Sequence, residues 1–436
     1  MRLNVLLVLA LAAACGGDGD GSLETDGGPG SDSGVPPDPS DSVFDESQIQ
    51  TFNLTIADAD WDFLNENALL EQYVPGTLEY DGETVAEIGV RYKGAVGSLR
   101  LCFDQQGNRI CDKLSFKLKF NEYVPGQRLR GLKRVNLHAM EGDGSKMHDA
   151  IGYKLFRDNG VYASRTAFAR VVVNGELIGL FIAVEAVDGR FTRRSFPDGG
   201  EGNLYKEIWP VYSSSQPYIN ALRTNEDENP SVDKILGFAA ALAAADDSTF
   251  EAMIEAWTDA DMLMRYMAVA RLLDHWDGIV AFYCGSGGGC GNHNYYWYES
   301  QSEDKLWLVP WDLDHTFEDP NPFRDIYGMP EWDDVDADCT PRDVFLGVQA
   351  RAPGCDPLIR GMAVALGDRY VAESRELLAG DFSAAALSAR IDALEALIAD
   401  EIANDPDVTP AEWSAAVANL RNNANSNRAF IESRLP

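Results

Sequence analysis

The stretch Ala167-Phe168-Ala169-Arg170-Val171-Val172-Val173-Asn174-Gly175-Glu176-Leu177-Ile178-Gly179-Leu180-Phe181-Ile182-Ala183-Val184 divides the chain. Its two arms are rich in β-branched and aromatic residues. Asn174-Gly175 between them is the dipeptide that tolerates left-handed backbone at both centres of a tight hairpin turn. The second arm runs on as Glu185-Ala186-Val187-Asp188. Upstream, from about residue 52, strand patterns predominate. Residues 86–92 alternate, and Leu114-Ser115-Phe116-Lys117-Leu118-Lys119-Phe120 alternates strictly, as a half-buried strand does. One helix interrupts them over 145–160, with Ser145 as its cap, Ile151, Leu155 and Phe156 as its apolar stripe and Gly160 as its stop. Downstream, from about residue 232, helical periodicity takes over, with helices expected at 261–273, 382–402 and 410–434. This one-sided split predicts an α+β fold, with a β-rich lobe over 46–187 and an α-rich lobe over 188–436.

The rest of the composition sets bounds. With 436 residues, 45% of them hydrophobic, the chain can bury one large two-lobed core. Seventy acids against thirty-six bases give a formal net charge of −34. Such a surface repels nucleic acid, so no nucleic-acid partner is expected. The first residues read Met1-Arg2, an apolar run over 3–14, then Cys15-Gly16-Gly17-Asp18. That is a secretory signal over 1–15 with small residues before a cysteine, similar to a lipoprotein signal. Export is expected, with Cys15 carrying a lipid that anchors the protein to the membrane of the cell envelope. Residues 16–45, dominated by Gly, Asp, Ser and Pro, read as a disordered tether. Six cysteines remain, in three neighbouring pairs: Cys102 with Cys111, Cys284 with Cys290, and Cys339 with Cys355. In an exported chain these read as disulfides closing short loops.

Three groups of residues carry chemistry. Lys117 and Lys119 share a parity and project from one strand face, which is either a solvated face or a phosphate-binding one. Asp149, on the helix that follows, is the acid that would orient such a lysine. Residues 185–187 then leave the hairpin as either an ordinary edge or an extended linker. The richest group comes last. It reads Leu273-Asp274-His275-Trp276-Asp277-Gly278, then Asn292-His293-Asn294-Tyr295-Tyr296, then Val309-Pro310-Trp311-Asp312-Leu313-Asp314. A carboxylate after a helix, an amide on an extended run and a carboxylate ending a hydrophobic strand are the parts that phosphoryl transfer with Mg²⁺ requires. The Gly-rich run 285–291 lacks the Gly-Lys-Ser/Thr ending of a phosphate loop and reads as a decorated loop.

Taken in order, several of these pieces resemble the CotH kinase family, atypical kinases named after spore coat protein H. They are Arg91-Tyr92-Lys93-Gly94, residues 115–120, Asn136-Leu137-His138, residues 151–161, the hairpin to Glu185, Asn203-Leu204-Tyr205-Lys206, His293-Asn294-Tyr295-Tyr296 and Pro310-Trp311-Asp312. The resemblance covers roughly residues 50–320. It implies a divergent two-lobed protein-kinase-like fold that uses ATP with Mg²⁺ or Mn²⁺ to phosphorylate Ser/Thr hydroxyls of envelope or surface proteins. By position, Asp274 looks like the catalytic aspartate and Asp312, with Asn294, like the metal-binding pair. Lys117 or Lys119 looks like the phosphate lysine, Glu185 lies in the nucleotide linker, and Lys93 and Lys206 are further nucleotide contacts. A catalytically silent surface lipoprotein, acting as adhesin or scaffold, is the alternative that the acidic surface, tether and disulfides fit equally.

Overall fold

In the first half the alternating runs pair edge to edge until the sheet closes. β1 (Gln50–Ile56), β2 (Val74–Tyr80), β3 (Glu83–Tyr92), β4 (Phe116–Lys119), β5 (Arg134–His138), β6 (Thr166–Val173) and β7 (Glu176–Val184) form a barrel in the order β1-β2-β3-β4-β5-β7-β6. Neighbours are antiparallel except the closing pair, β1 with β6, which is parallel. Closure removes the sheet edges that would otherwise recruit another chain. Phe52, Leu78, Val90, Phe116, Leu118 and Phe181 fill the interior. The Asn174-Gly175 turn has φ of 52° and 85°, as the dipeptide requires. Its Asn174 Oδ1 also accepts the Ile56 N–H at 2.8 Å, so the hairpin turn latches the closing seam.

This computed structural model describes residues 38–436 apart from 95–98, 229, 286–287, 319–321 and 346. The expected signal segment, Cys15 and the spacer up to residue 37 lie outside the described residues. Residues 38–45, assigned to the tether by composition, are folded: Pro39–Ser42 is a 3₁₀ turn capped by Asp38, and Val43 and Phe44 are buried. Composition misjudged them because their polar side chains are used. Arg190 bonds Asp38, Arg165 bonds Asp41, and Arg130 bonds Ser42.

Helix α1 (Asp58–Glu66) follows β1, and α2 (His148–Asp158) lies between β5 and β6. Ser145 does not cap α2. Asp143 takes that part, its Oδ2 accepting the His148 N–H at 2.7 Å while Oδ1 holds the Ser145 hydroxyl at 2.5 Å. The buried face of α2 joins the core of the second half, with Phe156 and Tyr266 rings 5.1 Å apart.

The second half contains α3 (Gly189–Ser195), α4 (Gln216–Ala221), α5 (Asp233–Ala244), α6 (Phe250–Trp257), α7 (Ala260–Leu272), α8 (Pro357–Ala365), α9 (Gly367–Ala379), α10 (Ala384–Ile402) and α11 (Pro410–Arg434). Ten of the thirteen residues of α7 are buried, which makes it the central helix. Two small sheets, of which the sequence showed only the run at Asn294 and the strand before Asp312, lie among these helices. β8 (Leu204–Lys206), β11 (Tyr295–Ser300) and β12 (Lys305–Pro310) run in the order β12-β11-β8. β9 (Phe282–Cys284), β10 (Cys290–Gly291), β13 (Arg342–Phe345) and β14 (Val348–Arg351) run in the order β10-β9-β14-β13. The three cysteine pairs are bonded, and Cys284–Cys290 closes the β9–β10 loop.

The end of the chain returns to the barrel. Lys113, fully buried, reaches Asp405 at 2.7 Å and the Leu180 carbonyl at 2.8 Å, and Asp405 also accepts the Leu180 N–H at 2.6 Å. No helix among the described residues is long and apolar enough to cross a membrane.

Candidate functional site

Strand alternation sends Lys93 outward from the barrel at the end of β3, where its N–H pairs with the Ser115 carbonyl. His138 leaves β5 on the same face. Lys93 Nζ donates to His138 Nε2 at 3.0 Å, and His138 Nδ1 faces Asp149 Oδ2 at 3.0 Å. Burial, then Lys93, pushes the His138 pKa down to about 3, so the neutral ring donates its Nδ1–H to Asp149. Burial, then Asp312 and Asp143, pushes Asp149 up to about 7. Burial also lowers Lys93, against the pull of Asp312. The strand lysine joined to Asp149 is therefore Lys93. Lys117 shares its outward face one register row away, beside Asn136, as parity predicted. Lys119 turns away, to Glu122 at 3.1 Å and over the Tyr73 ring.

Across from the barrel, β12 ends in Trp311-Asp312, and β11 opens with Asn294 immediately before it. Asp312 is held by its backbone. Its N–H donates to Tyr153 Oη at 3.0 Å and its carbonyl accepts from His275 Nε2 at 3.2 Å. Asn294, Asp312, Asp274 and Glu207 all have φ between 51° and 64°. Such left-handed backbone is costly for residues with a Cβ and gathers where function fixes geometry. The Asn294 N–H donates to Glu207 Oε1 at 3.4 Å. Lys206, at the end of β8, lies 3.6 Å from Glu207. Burial opposes its charge, but Tyr296, Glu207 and Asp312 raise its pKa.

The acid after α7 that meets this group is Asp277. Its Oδ2 accepts from His293 Nε2 at 3.1 Å and from Asn294 Nδ2 at 3.1 Å, and its Oδ1 accepts from Tyr283 Oη. Burial opposes ionisation, but His293 and these donors keep its pKa low. The turn that delivers it needs Gly278, because a Cβ there would stand 2.6 Å from the His275 ring. Asp274, expected in this role, is directed elsewhere. Its Oδ1 lies 3.9 Å from both Arg271 and Arg324, in a buried cluster with Glu331. Three residues, less than one helical turn, separate the two acids, and the helix end points them apart.

Glu185, expected in a linker that binds through its backbone, turns its side chain into the fold. Its buried carboxylate is held by Arg165 at 2.7 Å and Arg194 at 2.9 Å, and its N–H pairs with the Arg165 carbonyl. Burial opposes its charge, but the two arginines hold its pKa low. It is a buried structural ion and leaves no side-chain atom for a nucleotide.

The strand and loop motifs pointed here and included His138, His293 and Asp314, but the sequence alone gave no role to Asp277 or Tyr283. One signal stood in the composition: the chain has five histidines. All five bond groups of this site. His138 meets Asp149, His148 meets the Asp314 carbonyl at 2.9 Å, His275 meets the Asp312 carbonyl, His293 meets Asp277, and His315 meets Glu318 at 2.6 Å. Burial opposes the His315 charge, but Glu318 and Asp314 hold its pKa up to about 10. Asp314 is pushed up to about 7 by burial and Asp312.

Asp149, Asp277, Asp312, Asp314 and Glu207 thus face two lysines, Lys93 and Lys206. Asp149 Oδ1 is buried without a hydrogen-bond partner among the described residues. Crowded carboxylates, of which Asp149 and Asp314 have raised pKa values, fit a divalent cation, and the two ammonium groups fit phosphate oxygens. No three ligand atoms of this site lie within 4.8 Å of one another among the described residues. Mg²⁺, which takes one or two carboxylates and completes its shell with water and phosphate, needs no such cluster.

The sequence matches the profile of the CotH kinase protein family over residues 90–435. It is also similar to the inner spore coat protein H of Bacillus subtilis (strain 168), 25% identical over 237 residues. That alignment covers 51% of this chain and 59% of the spore protein's length. The profile match includes β4, the central helix α7 and every site residue named above, and on it the chain belongs to the CotH kinase protein family.

Proposed function

We propose that this protein is an atypical kinase that transfers the terminal phosphoryl group of ATP, with Mg²⁺ or Mn²⁺, to Ser/Thr hydroxyls of envelope or surface proteins. The observation that carries the reading is the convergence of Asp277, Asn294 and Asp312 with Lys93 where the barrel meets the helix-rich half. The two halves act as the lobes of a divergent kinase-like fold. The metal–nucleotide supplies the transferable group and the positive charge that the carboxylates call for. Asp277, fixed by His293 and Asn294, takes the proton of the acceptor hydroxyl. Asp312 and the Oδ1 of Asn294 hold the ion, whereas the Asn294 Nδ2 is spent on Asp277. Lys93, braced by His138 and Asp149, and Lys206 orient the phosphates.

The test uses the mature chain with Mg²⁺ and labelled ATP. Label should reach the protein itself or a generic Ser/Thr acceptor, and Asp277→Ala and Asp312→Ala should each abolish it. A calorimetric titration showing no nucleotide binding at any metal concentration would remove the kinase reading in favour of a silent adhesin or scaffold. We place the protein at the envelope, anchored through a lipid on Cys15. Mass spectrometry of the membrane fraction should find that lipid, and Cys15→Ala should release the chain.

A further inference from the structure

Beside the strand that carries Asn294 lies a cavity that the proposed transfer leaves unused. Its volume is about 250 Å³, it opens to solvent, and Trp209, Phe282 and Tyr295 form its walls. Tyr295 and Tyr296 are adjacent on β11, so they face opposite sides of the sheet. Tyr296 pairs with Lys206, on the phosphate side, and the cavity lies on the other side. One of its wall residues touches the site directly, and a second adjoins one that does. Glu207 bonds the Asn294 N–H, and Asn292 precedes His293, which holds Asp277. A third, Phe282, precedes Tyr283, which also donates to Asp277. Through Glu207 and Asn294 the cavity is thereby linked to the base, Asp277.

Three buried polar atoms of the wall have no hydrogen-bond partner among the described residues: Asn292 Oδ1, Tyr295 Oη and Arg351 Nε. Tyr295 is fully buried and Asn292 is 7% exposed. Asn292 spends its Nδ2 on the Ile279 carbonyl at 2.7 Å, which leaves its carbonyl end unmet. Asp356, in contrast, is already engaged by Trp209 Nε1 at 3.0 Å and by the Leu358 N–H at 3.0 Å. An unmet acceptor beside an unmet donor selects a group that is both. An ammonium would leave the Arg351 N–H unmet and lie beside its charge. A carboxylate would leave the Asn292 carbonyl unmet and face Asp356. A carboxamide on an apolar stem satisfies both ends and lays its stem against the rings.

We propose that this cavity is an acceptor-side specificity pocket, which receives the side chain of a Gln or Asn neighbouring the phosphorylated Ser or Thr. The proposal rests on Asp277 being the base. It is tested on an array of Ser peptides in which each flanking position is fixed in turn as Gln, Asn, Ala, Lys or Glu. The array is read twice with the mature chain, first for retained protein without nucleotide, then for transferred phosphate with Mg²⁺ and ATP. Gln or Asn should be favoured about 5-fold or more over Ala at one position in both readings. Arg351→Met should shift that position toward Lys, and Tyr295→Phe should weaken the carboxamide preference. Retention with no position selected, or a preference that both variants leave unmoved, means a cavity that holds only water and overturns the proposal. Selective retention without transferred phosphate sustains the pocket and counts instead against the kinase reading.

Discussion

At the scale of single residues, the site turns on which of two neighbouring acids faces it. Asp277 accepts from His293, Asn294 and Tyr283, whereas Asp274 is enclosed by Arg271 and Arg324. Asp277→Asn should lower phosphoryl transfer by about 10²-fold or more while nucleotide binding, followed by calorimetry, persists. Asp274→Asn should instead lower the thermal midpoint, because it leaves the buried Arg271 and the half-buried Arg324 short of negative charge. Asp149 gives a pH signature. Its ordinary pKa is 3.8 and its folded value is about 7. Between those values the folded chain holds the extra proton, so stability falls as pH rises through that window and levels off above it. The slope is at most ~1.4 kcal/mol per pH unit. Asp149→Asn keeps an acceptor for His138 and removes the titration. Urea unfolding from pH 4.5 to 7.5 should therefore show the variant gaining on the wild type as pH rises, and parallel curves would refute the assignment.

At the scale of elements, strand parity and turn chemistry were legible. Asn174-Gly175 gave the hairpin, and the alternation around Lys117 gave an outward lysine row above the apolar interior of β4. What alternation does not encode is closure: β1 and β6 lie more than a hundred residues apart, and their parallel seam has no local signature. Of the small sheets, the run into β11 and the strand β12 were legible beside their motifs, whereas the other strands, two to four residues long, leave no period to read. Motif spacing located the loop after α7, but which of its acids faces inward depends on how the helix end turns, and that is a tertiary property. Glu185 shows the same limit at the end of β7. Its place in the element order suggested a linker, yet its surroundings are two arginines. Glu185→Ala should cost ~3–5 kcal/mol of stability by removing the buried carboxylate that both share, leaving Arg165 ion-paired with Asp41 alone among the described residues. Nucleotide affinity per folded molecule should stay unchanged, and a specific loss of binding would restore the linker role.

At the scale of the whole molecule, the two halves are tied by charges buried between distant parts of the chain. Asp405→Ala should cost ~3–5 kcal/mol in urea unfolding, because the Lys113 ammonium is left without its counter-charge. The paired replacement Lys113→Met with Asp405→Leu should recover most of that loss, and no recovery would mean that the ion pair is not the source. The tie has a further consequence for how the protein is made. Asp405 follows Lys113 by 292 residues, so until it has been synthesised the lysine has no counter-charge to be buried against. Docking of that late segment therefore completes the folded state only after the α-rich half has been made.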